Sequence, residues 1–87
     1  MARVFIPSQW RDLTDGASDI EVRGGSLREV IAALDARFAG LAERACEHGA
    51  IASSLAVSID GALTSRGLSA KVEPDSEIHF LPAIGGG

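Results

Sequence analysis

The most distinctive chemical feature of this 87-residue sequence is its C-terminus, which consists of Gly85, Gly86 and Gly87. Because glycine has no Cβ, such a segment can enter a channel that any side chain would block. It also presents a bare carboxylate, which is ionised at neutral pH because its ordinary pKa is about 3.3–3.7. That carboxylate could attack the α-phosphate of ATP to form an acyl adenylate, from which a sulfur nucleophile would displace AMP. The chemistry requires a partner enzyme, whereas an inert, frayed terminus is the alternative interpretation.

The composition excludes several other kinds of function. A chain of 9.0 kDa forms one domain with a small core, which is a poor fit to a deep multi-residue active site. The formal net charge of −4 argues against nucleic-acid binding. The single cysteine, Cys46, excludes an intrachain disulfide, a cysteine-ligated iron–sulfur cluster and a cysteine-rich zinc site. No apolar run suggests a membrane span and no export signal is visible, so we expect a cytoplasmic protein without a bound metal or cofactor.

The elements that position the C-terminus are predicted from the periodicity of apolar residues. Strands are predicted over residues 3–6, 19–23, 55–59 and 77–81, with an edge strand or irregular chain over 62–72. Ser26 and Glu29 form the capping-box pattern of a helix that ends before Gly40. The apolar stripe of this helix consists of Leu27, Val30, Ile31, Leu34 and Phe38. Residues 41–47 are predicted to form a short second helix.

This order of elements predicts an α+β roll, in which a mixed sheet of four or five strands carries one main helix on one face. We expect a folded domain over residues 1–82 and a flexible glycine tail over residues 83–87. Alternation in the last strand directs His79 and Leu81 to the open face of the sheet, where Phe5 of the first strand also lies. We expect these three residues to form a docking surface for a partner, and an ordinary exposed surface is the alternative.

Several segments resemble the MoaD/ThiS family of ubiquitin-like sulfur carriers. Residues 77–87 match the family's closing pattern of a hydrophobic strand, a proline, small residues and terminal glycines. Residues 74–77 resemble the acidic turn that precedes this strand, and residues 37–44 resemble the aromatic-x-Gly-Leu-x-Glu-Arg segment after the main helix. Residues 57–61 resemble the family's strand and turn. The resemblance covers essentially the whole chain.

The resemblance implies a β-grasp fold and an activatable carboxylate on Gly87. An E1-like adenylating enzyme of the MoeB/ThiF class would use ATP to activate it and convert it to a thiocarboxylate. The sulfur would then pass to a biosynthetic enzyme, of either the molybdopterin type or the CysO-like cysteine type. The chain would be a co-substrate and not itself an enzyme, although it could be the small subunit of molybdopterin synthase. The tail that enters the partner would consist of Pro82, Ala83, Ile84, Gly85, Gly86 and Gly87.

Within the resemblance, residues 6–16 are nearer to the cysteine-type carriers, although Trp10 replaces their usual aliphatic residue. Two other functions use the same fold: a protein modifier conjugated to lysines through Gly87, and an inert β-grasp interaction domain. Cys46 is interpreted as a small buried residue of the second helix, with a reactive thiol as the alternative. His48 is two residues away and would not face it on a helix.

Overall fold

The computed structural model describes residues 1–82, which form a mixed five-stranded sheet with a helix packed on one face. Its elements in chain order are β1 (Ala2–Phe5), β2 (Asp19–Val22), α1 (Leu27–Arg37), α2 (Leu41–Ala45), β3 (Cys46–Glu47), β4 (Ala50–Ile51), β5 (Leu55–Ile59), β6 (Ala62–Leu63) and β7 (Glu77–Pro82). The predictions for residues 83–87 concern residues outside this range.

The C-terminal strand occupies the centre of the sheet. The strand order is β2-β1-β7-β5-β6, with β1 and β7 parallel and the other neighbours antiparallel. The predicted mixed sheet with one main helix is therefore confirmed. Strands β3 and β4 form a separate two-stranded sheet that the sequence analysis did not predict.

Helix α1 begins and ends where its sequence signals place it. Ser26 is the N-cap, and its hydroxyl accepts a hydrogen bond from the Glu29 backbone N–H at 3.3 Å. The reciprocal bond of the capping box is shifted by one residue, because Glu29 Oε1 accepts from Gly25 N–H at 3.0 Å. Ser26 is held in an extended conformation opposite Lys71, which brings Gly25 to the glutamate. The helix buries Leu27, Val30, Ile31 and Leu34, and Phe38 is its half-buried C-cap.

Gly24 lies where the chain after β2 passes closest to α1. A Cβ at this position would lie 2.9 Å from both the backbone nitrogen and Cγ2 of Val30, so a larger residue would require the helix to shift. The presence of glycine here therefore has a packing explanation.

Trp10 fills the core from the loop between β1 and β2. A short 3-10 turn over Ser8–Trp10 directs the indole inward, where it is 3% exposed. Its ring packs against Phe80 of β7 with centroids 5.0 Å apart and a tilt of 46°. The large residue that departs from the family pattern is thus a core residue in contact with the C-terminal strand.

The turn between β5 and β6 is tied to the start of β7. Asp60 and Gly61 have φ values of 54° and 86°, as expected for a tight two-residue hairpin turn. The Asp60 carboxylate accepts hydrogen bonds from the Glu77 backbone N–H at 2.9 Å and from the Ser76 hydroxyl at 2.8 Å. Both hydrogen bonds lower the pKa of Asp60, and the bond from the Glu77 backbone has the larger effect.

This hydrogen bonding predicts an acid-sensitive contribution of Asp60 to stability. A lowered folded-state pKa stabilises the fold fully above the ordinary Asp pKa of about 3.9, and the effect is lost as the pH falls through the lowered value. We expect Asp60→Asn, which retains the tolerance for positive φ, to be less stable than the wild type at pH 7. Denaturant titrations should show that the difference in the free energy of unfolding between the two proteins narrows between about pH 5 and pH 2. A difference that is constant with pH would contradict the assigned role of the carboxylate.

Candidate functional site

Pro82 is the last residue of β7 and lies opposite Leu55 of β5. Pro82 was predicted both as the last residue of the folded domain and as the first of the residues that enter the partner; the structure places it in the sheet, and its entry into the partner stays a prediction. Asp60 N–H donates to the Glu77 carbonyl, so alternation along the antiparallel pair makes Leu55 and Pro82 a pair without hydrogen bonds. The missing N–H of proline therefore costs no hydrogen bond to β5.

The three residues predicted to share the open face of the sheet do so. Phe5 and His79 are opposite each other in the parallel pair, with ring centroids 4.3 Å apart and ring planes within 2° of parallel. Leu81 is 40% exposed, whereas Ile78 and Phe80 are buried under α1. The predicted strand register is therefore confirmed, and the binding role of the three residues stays a prediction.

The open face has further apolar members that the sequence analysis did not identify. Ala56 lies opposite Leu81, and Leu63 lies opposite Ser58, which in turn lies opposite His79. At 69% exposure, Leu63 is the most exposed large apolar side chain of residues 1–82. The two-residue turn at Asp60 and Gly61 fixes the pairing of β5 with β6, so this turn sequence could have been used to place Leu63 on the open face. We call the set Phe5, Ala56, Leu63, His79 and Leu81 the open apolar patch.

Charged residues lie at the other end of the open face and beside the open apolar patch on β2, where Asp19 lies opposite Phe5. Arg3 is flanked by Glu21 of β2 and Glu77 of β7. Its guanidinium forms an ion pair with Asp19 at 3.4 Å, and both side chains are largely exposed. The open apolar patch thus occupies the end of the face at which β7 finishes, next to Pro82.

A model described as the ThiS family matches residues 4–87. The chain belongs to the ThiS family. The match confirms the resemblance to the MoaD/ThiS group of ubiquitin-like sulfur carriers. It spans nearly the whole chain and includes the terminal glycines. No curated protein sequence matches this ThiS-family chain at a significant level.

Solved structures support the fold of this ThiS-family chain. It is 28% identical to a chain of the Amycolatopsis orientalis BexX/CysO complex, covering 100% of both chains with a TM-score of 0.92. It is 24% identical to Mycobacterium tuberculosis CysO, covering 97% of this chain and 100% of that one, with a TM-score of 0.89. SAMP1, the small archaeal modifier protein 1 of Methanosarcina acetivorans, matches at 21% identity and a TM-score of 0.81, with coverage of 99% and 95%. These similarities confirm the β-grasp fold.

Cys46 of the ThiS-family chain does not lie within a helix as predicted. Helix α2 ends at Ala45, and Cys46 is the first residue of β3, half-buried and paired with Ile51. Burial raises the pKa of the thiol, although the Arg28 guanidinium acts in the opposite direction. A raised pKa reduces the thiolate fraction at neutral pH, so the environment favours the interpretation as a packing residue over that of a reactive thiol.

Residues 1–82 of the ThiS-family chain offer neither a metal site nor a membrane-spanning helix. Within residues 1–82, no group of three or more His, Cys, Asp or Glu side chains is placed to hold a metal ion. No helix in this range is long and apolar enough to cross a membrane. A surface hollow of about 480 Å³ is lined by Met1, Arg23 and Pro74 among others, at the opposite end of the sheet from Pro82. None of the residues predicted to be functional lines it.

Proposed function

We propose that this chain is a sulfur carrier whose working group is the carboxylate of Gly87. An E1-like enzyme of the MoeB/ThiF class adenylates this carboxylate with ATP and converts it to a thiocarboxylate, which donates sulfur to a biosynthetic enzyme. The observation that carries the proposal is the family match, which extends through the three glycines to residue 87. The chain is then a co-substrate of its partners and not an enzyme, and it acts in the cytoplasm.

The proposed activation consists of two balanced displacements. A carboxylate oxygen of Gly87 forms a bond to the α-phosphorus of ATP, and pyrophosphate leaves. A sulfur nucleophile then attacks the acyl carbon of the adenylate, the carbon–oxygen bond to AMP breaks, and a carbon–sulfur bond replaces it. The partner supplies the ATP site and the sulfur, whereas the chain supplies an unbranched tail that fits a narrow channel.

The open apolar patch is the proposed docking surface for both the adenylating enzyme and the sulfur acceptor. Its large exposed side chains, Leu63 and Leu81, would gain free energy on burial in an interface. Its position beside Pro82 would place the docked enzyme next to the tail. The stacked pair of Phe5 and His79 provides a flat, preorganised centre for the contact.

For the acceptor, we propose a cysteine-type pathway in preference to the molybdopterin type. Residues 6–16 resemble the cysteine-type carriers, and the structurally similar chain with 28% identity comes from a BexX/CysO complex. Supplying the thiocarboxylated chain to enzymes of each pathway would distinguish the two acceptors.

The proposed function is tested by mass spectrometry of the intact chain. The purified chain is incubated with MoeB/ThiF-class enzymes, ATP and a sulfide source. Replacement of one oxygen by sulfur should add about 16 Da, as the chemistry of adenylate displacement requires. An unchanged mass with every such enzyme would refute the sulfur-carrier proposal. Isopeptide adducts to lysines without a thiocarboxylate would instead identify a protein modifier.

We expect Leu81→Glu to weaken binding to the adenylating enzyme without unfolding the chain. The substitution places a charge in the open apolar patch, where an interface would have to desolvate it. Leu81 is 40% exposed, so the thermal midpoint should change little. Ala36→Glu on the exposed face of α1 adds the same charge elsewhere and is the matched control. Equal weakening by both variants, or none by Leu81→Glu, would remove the open apolar patch from the interface.

A further inference from the structure

The basic residues of this chain are arginines with one exception. Lys71 is the single lysine among its eight basic residues. A guanidinium stays protonated and does not act as a nucleophile, whereas the amine of a lysine attacks acyl groups once it has lost its proton. This difference bears on the proposed function, because an amine that reaches the activated carboxyl of Gly87 would form a stable amide, and the chain would be lost for sulfur transfer.

Lys71 lies at the end of the sheet where β1 and β7 begin. It pairs with Ser26 in an isolated bridge between two extended segments. Ser26 follows β2, whose last residue, Val22, lies opposite Ala2 at the start of β1. Strand β7 runs parallel to β1, so this lysine and Pro82 lie at opposite ends of β7.

The length of β7 keeps Lys71 at the limit of what the tail can reach. From Glu77 to Pro82 the strand spans about 17 Å, since each residue adds about 3.3 Å. Residues 83–87 span at most about 18 Å when fully extended. The carboxyl of Gly87 would therefore have to lie back along the whole of β7, in a fully extended tail, to come level with this lysine. That geometry disfavours acylation of Lys71 within the same chain.

Arg66 is a basic residue at the end of the sheet from which the tail leaves. Thr64 N–H donates to the Val57 carbonyl at 3.0 Å, and Val57 lies opposite Phe80, so Thr64 is two strand spacings, about 10 Å, from β7. The chain runs here in the direction of β7, because β5 is antiparallel to both β6 and β7. Two residues further on, the exposed Arg66 is therefore near the level of Pro82 and within the span of the tail.

The thiol of Cys46 is another nucleophile at this end of the sheet. Cys46 lies opposite Ile51, and the next residue, Ala52, accepts a hydrogen bond from the Leu55 N–H. Leu55 in turn lies opposite Pro82. Burial raises the pKa of the thiol and so reduces its thiolate fraction. A thioester with this thiol could still be cleaved by a sulfur nucleophile, whereas an amide could not, so an amine is the more damaging competitor.

We propose that Arg66 is a specificity-determining residue of the sulfur-transfer reaction, because it places a positive charge beside the tail without an amine that the activated Gly87 carboxyl could acylate. The inference rests on the proposed function, since it concerns the same activated carboxyl. In an Arg66→Lys variant, the new nitrogen would attack the acyl carbon of the adenylate. The carbon–oxygen bond to AMP would break, the nitrogen would release a proton, and a carbon–nitrogen bond would form where the wild type forms a carbon–sulfur bond.

A C-terminal thioester of the full chain tests the inference without any enzyme. The chain is expressed as an intein fusion and released with a small thiol, which leaves Gly87 as a thioester. At about pH 8, we expect Arg66→Lys to lose the thioester about tenfold faster than the wild type, because the new amine attacks within the same molecule. The product should be about 18 Da lighter than the hydrolysed chain, as amide formation with loss of water requires. Digestion and mass spectrometry should locate the amide between Gly87 and the introduced lysine.

Arg23→Lys is the matched control at the opposite end of the sheet. Arg23 is exposed and lines the hollow of about 480 Å³ with Met1 and Pro74, so this variant should keep the wild-type thioester lifetime and form no amide. Circular dichroism should show the wild-type fold for both variants. Equal lifetimes for the two variants, or an amide to Lys71 in the wild type, would overturn the inference. Failure of every adenylating enzyme to modify the wild type would instead refute the sulfur-carrier function on which the inference rests.

Discussion

A chain that lacks Gly87 should fold normally and be completely inert to activation. All of the proposed chemistry passes through the carboxylate of this residue. A tail shortened by one residue would hold its new carboxylate about 3.6 Å short of the position from which Gly87 attacks the α-phosphate. A single alanine added after Gly87 should have the same effect, because it displaces the carboxylate in the other direction. Intact-mass measurement after incubation with enzyme, ATP and sulfide should show no gain of about 16 Da for either variant.

The fold of these variants is checked by circular dichroism and thermal melting. The last buried core residue of the described chain is Phe80, so the loss of Gly87 should leave the thermal midpoint unchanged. Gly86→Val keeps the length and should still impair activation, since a β-branched side chain is bulky and restricts the backbone. Sulfur transfer by the chain without Gly87 would show that the working group lies elsewhere.

Leu34→Ala should strongly destabilise the fold, with an expected loss of about 2–5 kcal/mol in the free energy of unfolding. Leu34 is fully buried at the centre of the helix stripe, and its truncation leaves a cavity over the sheet. Small domains have a total stability of roughly 5–15 kcal/mol, so the variant should be partly unfolded at moderate temperature. Denaturant titration measures the difference.

The same substitution at an exposed leucine is the matched control. Leu63 is 69% exposed on β6, so Leu63→Ala should change the free energy of unfolding by no more than about 0.5 kcal/mol. The pair of variants thus separates burial from side-chain identity. A loss below about 0.5 kcal/mol for Leu34→Ala as well would show that α1 does not pack on the sheet through this stripe.

The elements with strong local signals could be predicted from the sequence. Helix α1 has a capping serine at Ser26 and an apolar stripe with helical spacing, and both signals lie within the helix itself. Strand β7 alternates clearly enough to assign Ile78 inward and Leu81 outward. The stacking of Phe5 on His79 depends on the parallel pairing of β1 with β7, two strands distant in sequence, and the sequence analysis predicted only that both residues share the open face.

The missed elements have signals that are too short or that depend on distant partners. Strand β3 has two residues, which is too few to show a period. An edge strand within residues 62–72 was one predicted alternative, but β6 is only Ala62–Leu63, so the exposure of Leu63 on the open face was not anticipated. Cys46 was placed in a helix because nothing local marks the end of α2 at Ala45. The predicted last strand stops at residue 81 because proline usually ends a strand. Pro82 can nevertheless belong to β7, because its pairing with Leu55 requires no N–H from the proline.

The central position of β7 has a consequence for synthesis of the chain. Strand β7 lies between β1 and β5, so neither of these strands can pair with it until residues 77–82 have left the ribosome. Until then, Ile78 and Phe80 are also missing from the core. The pairing of Arg3 with Glu77 closes a loop of more than seventy residues, so such a fold depends on contacts that form late. A prematurely terminated chain would remain unfolded and open to proteases. A chain that has folded must therefore have been translated at least as far as β7, the strand that precedes the glycines.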